Sequence, residues 1–134
     1  MRLQVGRALA QRLPPELENK LVRLQTLQAQ YNKILQERAT VESEIAETQR
    51  AIKLIEEAGE NAPVYRMEAN VMVRVDRAKL LQELKDRLEI LELRLQRLKK
   101  QEEEIRKQLD TLAKEIRELQ TKLALGKQAG AGAS

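Results

Sequence analysis

The chain has 134 residues, with 34% charged and 1% aromatic side chains, two Tyr and neither Phe nor Trp. It therefore lacks the ring systems that anchor most compact cores. The absence of Cys and His excludes disulfides, thiolate nucleophiles, imidazole bases and the usual transition-metal sites. The net charge is +4, with both signs interspersed, which argues against a nucleic-acid-binding stripe.

Leu, Glu, Lys, Arg, Gln and Ala dominate, the composition of long helices. No apolar run approaches the roughly 20 residues needed to cross a bilayer, so a soluble chain without a membrane partner is expected.

Residues 1–14 form an N-terminal extension carrying Arg2, Arg7 and Arg12 and no acid, with Leu3, Val5, Leu9 and Leu13 between them. Its composition is similar to that of an organellar transit peptide. Its shortness favours a frayed, partly helical extension.

A first helix is expected over 15–58. Pro14 and Pro15 mark its entry, since proline is tolerated only in a helix's first turn. Leu17, Leu24, Tyr31, Ile45 and Ile52 form one row of a seven-residue repeat, interrupted by Arg38. Leu27, Ile34, Val41, Thr48 and Ile55 form the other, and Leu21 and Leu35 widen the stripe. Gly59 should end the helix.

Across 63–75 the period changes to two. Val71, Val73 and Val75 alternate with Met72 and Arg74, and Val64 to Met67 is a shorter strand. Glu68-Ala69-Asn70 is short enough for a hairpin loop, with Asn70 the residue best suited to positive φ.

The second helix, expected over 76–125, carries the strongest signal. Leu84, Leu91, Leu98, Ile105, Leu112 and Leu119 recur every seven residues. Leu81, Leu88, Leu95, Leu109, Ile116 and Leu123 sit between them, broken only by Glu102. This 4,3 spacing is the coiled-coil rule. Asp76 is the expected N-cap and Gly126 the expected C-terminal stop. Residues 126–134, small and Gly/Ala-rich, read as a flexible tail.

Two helices joined by a short connection should fold back antiparallel. Both ends of the chain would then lie about 60–75 Å from the hairpin by helix rise. A lone hairpin is marginal in water and shows two unpaired edges. Pairing with hairpins of other chains is expected, through Val64, Tyr65, Met67, Val71, Val73 and Val75.

These residues resemble the β subunit of archaeal prefoldin over roughly 15–125. The resemblance is strongest in Val64-Tyr65-Arg66 through Val71-Met72-Val73-Arg74. It continues through Glu83-Leu84-Lys85-Asp86-Arg87-Leu88-Glu89, Leu91-Glu92-Leu93-Arg94-Leu95 and Gln101-Glu102. A single hairpin marks the β type. Ala69 departs from the Gly common in that family's turn.

The resemblance implies a mostly α fold: an antiparallel two-helix coiled coil joined by one β-hairpin, with hairpins assembling into an oligomeric β-barrel platform. It implies a hetero-hexamer of two prefoldin α and four β subunits. It further implies a cytoplasmic, ATP-independent holdase that binds unfolded client proteins at its coiled-coil tips. The clients would pass to a group II chaperonin.

The residues expected to hold clients are Leu9, Leu13, Leu17, Leu21, Leu119, Leu123 and Leu125. The competing reading buries the seam leucines among them in the coiled coil. A frayed two-helix end would leave part of a widened stripe open, and non-directional apolar contact suits many clients.

Glu102-Glu103-Glu104 reads as a solvated charge run, because consecutive residues point around a helix. Arg94, Arg97, Lys99 and Lys100 read as a solvated basic face. No Gly-rich phosphate loop and no activated Ser is present. Neither enzymatic activity nor a cofactor or metal is expected. A structural coiled-coil spacer and a nucleic-acid-binding coiled coil are the alternatives.

Overall fold

A computed structural model of the chain describes residues 13–133, with side chains through Gly126. The element order is helix α1 (Pro15–Ala58), strand β1 (Val64–Glu68), strand β2 (Val71–Val75) and helix α2 (Arg77–Ala133). The described residues fall into two compact units. Residues 35–100 hold the hairpin and the helical segments that flank it; residues 13–34 and 101–133 form the other.

The ends of α1 follow from their sequence. The Glu18 N–H donates to the Pro14 carbonyl at 3.0 Å, opening the helix where the prolines cannot donate. At the other end Gly59 takes φ +91°, a left-handed value that an L side chain rarely adopts. Its N–H donates to the Glu56 carbonyl at 3.3 Å, satisfying one of the free carbonyls of the last turn. Helix α2 opens on Asp76, whose carboxylate accepts from the Ala78 N–H at 3.0 Å.

Gly126 does not stop α2. Its φ is not left-handed, and the helix runs on to Ala133, so the expected tail over 126–134 is helical through 133. A glycine inside a helix costs only about 1 kcal/mol relative to alanine, and the Lys, Gln and Ala around it favour helix.

The heptad positions of both helices are buried or half-buried, except Leu123. In the unit holding residues 13–34 and 101–133, Leu17, Leu27, Leu112 and Ile116 are buried together, with Leu21, Leu24, Ile105, Leu109 and Leu119 packed against them. In the hairpin unit Val41, Leu80, Leu91 and Leu98 are buried. The seam hydroxyl of Thr48 is buried too, and donates to the Glu44 carbonyl at 2.7 Å, so it costs no unmet hydrogen bond.

Ion pairs register the antiparallel helices within each unit. Lys20 Nζ lies 2.8 Å from Glu115 Oε2 in one. Arg87 pairs with Glu44 at 3.7 Å and Lys85 with Glu56 at 3.5 Å in the other.

Candidate functional surfaces

The hairpin is antiparallel, with Val64 opposite Val75, Tyr65 opposite Arg74, Arg66 opposite Val73, Met67 opposite Met72 and Glu68 opposite Val71. Directly opposed residues share a face. One face therefore carries Val64, Val71, Val73 and Val75 with Arg66 and Glu68, and the other carries Tyr65, Met67, Met72 and Arg74.

The loop is two residues, not three. Strand β1 runs through Glu68, which pairs with Val71, leaving Ala69-Asn70. A two-residue hairpin loop needs positive φ at its first central position or at both. The strain therefore falls on Ala69, at φ +52°, and not on Asn70.

Arg66 ties the hairpin to α2, its Nη2 lying 2.9 Å from Glu83 Oε2. Beside this pair an open groove is lined by Thr48, Met67, Leu84, Ile90 and Leu91 with charged side chains around them. Little else covers the strands. Tyr65, Met67, Val71, Met72 and Val73 are all exposed, Met67 at 69% and Met72 at 64%.

Among the described residues no group of three or more Asp or Glu side chains could hold a metal ion. No helix among them is long and apolar enough to cross a membrane.

The prefoldin subunit family matches residues 18–123. The chain belongs to the prefoldin family. Prefoldin is a chaperone family, and this chain has the single hairpin of its β type.

Similar proteins agree. The chain is 39% identical to a prefoldin subunit beta of Sulfurisphaera tokodaii over 86 residues, covering 64% of this chain and 69% of that protein. It is 35% identical to the corresponding subunit of Sulfolobus acidocaldarius over the same length and shares. The crystal structure of a prefoldin beta subunit from Thermococcus strain KS-1 superposes with a TM-score of 0.73 at 30% identity, covering 79% of this chain and 93% of that one.

The expected contact residues separate. Leu17 is only 2% exposed, so it belongs to the seam and offers no surface. Leu13, Leu21 and Leu119 are half-buried against the same cluster. Leu123 is 38% exposed and Leu125 60%. Leu9 lies outside the described residues.

Of the hairpin residues, Tyr65, Met67, Val71 and Val73 are exposed, while Val64 and Val75 at the base are half-buried. Met72 is the residue that sequence reasoning missed. Its signal is the two-residue loop, which sets it directly against Met67. Leu54, Ile90 and Leu93 are also exposed, on outward positions of the helices.

Proposed function

We propose that this chain is the β-type subunit of an ATP-independent holdase. Its hairpin joins those of other subunits, two α-type and four β-type in all, into a β-barrel platform. Its helix ends hold unfolded clients and release them to a group II chaperonin.

The observation that carries this reading is that large apolar side chains stand uncovered in each unit: on the strands in one, and at Leu123 and Leu125 in the other. A plain spacer has no use for either. Uncovered strands invite pairing with further strands, and an uncovered apolar helix end binds without demanding a sequence. Several weak contacts on tethered arms add through effective concentration. Leu13, Leu21 and Leu119, half-buried nearby, would widen the client surface, and Leu9 would extend it.

The test is a chain lacking residues 1–13 and 124–134, mixed with an α-type subunit. Native mass should match that of the full-length complex, because nearly all of the seam remains. Suppression of client aggregation should fall away. Full suppression by the truncated complex would move the client site elsewhere.

A further inference from the structure

The C-terminal half of helix α2 carries a ladder of cations that have no counter-ion among the described residues. Lys114, Arg117, Glu118, Thr121 and Lys122 line one shallow groove on its surface. Spacings of three and four residues set these side chains beside one another on a helix. The same spacing continues from Thr121 and Lys122 to the exposed Leu125. The groove thus holds three cations against one acid, next to open apolar surface.

Glu118 stands four residues from both Lys114 and Lys122 in this groove but forms no ion pair with either. Glu115 accepts from Lys20 at 2.8 Å. Glu118 also acts on Lys20, adding to the pull of Glu115 that holds its ammonium above the usual range. Lys114, Arg117 and Lys122 form no ion pair with any described residue. Exposed cations at the rim of an apolar contact attract a complementary charge at little cost, because they stay largely hydrated when the pair forms.

We infer that this face selects acidic segments of non-native polypeptide: stretches in which Asp or Glu flank apolar residues. The inference rests on the client site proposed above and adds a charge preference to it. The apolar part of the segment covers Leu123 and Leu125, and its carboxylates meet Lys114, Arg117 and Lys122.

The probes are three synthetic peptides on one apolar framework, carrying Asp, Asn or Lys at the same positions. Each is titrated by fluorescence anisotropy against the full-length chain assembled with an α-type subunit. At low salt the Asp peptide should bind roughly tenfold more tightly than the Asn peptide, and the Lys peptide should bind most weakly. The gap should close near 0.5 M salt, where the screening length falls to about 4 Å.

The triple variant Lys114→Glu, Arg117→Glu, Lys122→Glu should reverse the order while the Asn peptide binds as before. If that variant fails to assemble, the Gln series at the same positions should abolish the preference. Equal binding of the Asp and Asn peptides, or an unchanged order in the variants, overturns the charge preference and leaves the apolar client site standing. Binding of none of the three overturns both.

Discussion

Met67 and Met72 face each other across the hairpin, and both are open to solvent. Two thioethers on a two-stranded ribbon cannot shield one another from water. The strand pair therefore leaves its apolar faces open, and these set the first prediction.

Replacing Val73 with Lys should cost the isolated chain little, because Val73 is already exposed. Within a shared sheet the same ammonium would be buried without a partner, at a cost of several kcal/mol. Helix content by circular dichroism should survive while native mass by light scattering falls. A variant that keeps its mass would remove the platform from the account.

Ala69→Gly should stabilise the hairpin. An L side chain in the left-handed region costs about 1–2 kcal/mol, partly offset by glycine's greater freedom when unfolded. A gain of about 0.5–1 kcal/mol in urea unfolding is expected. A loss would contradict the positive φ at Ala69.

Seam and surface leucines should part clearly. Leu17→Ala empties a buried site and should cost about 2–4 kcal/mol, whereas Leu93→Ala, at an exposed position, should stay within about 0.5 kcal/mol. Denaturant midpoints of the two variants measure the difference.

The Lys20–Glu115 pair gives stability a pH dependence at the alkaline end. The hydrogen bond to Glu115 is the main cause of the raised Lys20 pKa, aided by the charges of Glu115, Glu16 and Glu118 and opposed by desolvation. A cation whose pKa is raised by folding stabilises the fold fully below its unfolded value of about 10.4. That contribution fades as pH rises through the folded value above it. The melting-temperature gap between the natural chain and Lys20→Met should be constant from about pH 7 to 9 and close at higher pH. A gap that closes in acid while staying open at high pH would contradict this origin.

The helices were legible because leucine spacing states a seam directly: Leu17, Leu27, Leu91, Leu98, Leu112 and Ile116 are all buried. The cap at Asp76 and the stop at Gly59 were legible because each supplies something the backbone needs there. Gly126 misled because a glycine permits a stop without forcing one, and nothing packs across it to decide the matter. The strain at Ala69 was hidden because alanine carries no sign of left-handed backbone, and the loop length alone assigns it. Leu54, Ile90 and Leu93 gave no warning of exposure, since an extra aliphatic residue beside a heptad row reads equally well as a wider buried stripe. Leucines at the chain end divided for the same reason, Leu17 inward and Leu125 outward.

The central claim is that this subunit holds non-native protein through its helix ends without nucleotide. Its most direct test is light scattering of a client diluted from denaturant, in the presence of the chain assembled with an α-type subunit and no ATP. The account predicts strong suppression of aggregation by the natural complex, lost in a Leu123→Ser, Leu125→Ser variant whose native mass is unchanged. Aggregation that proceeds unhindered with the natural complex, or is suppressed equally by the variant, would contradict it.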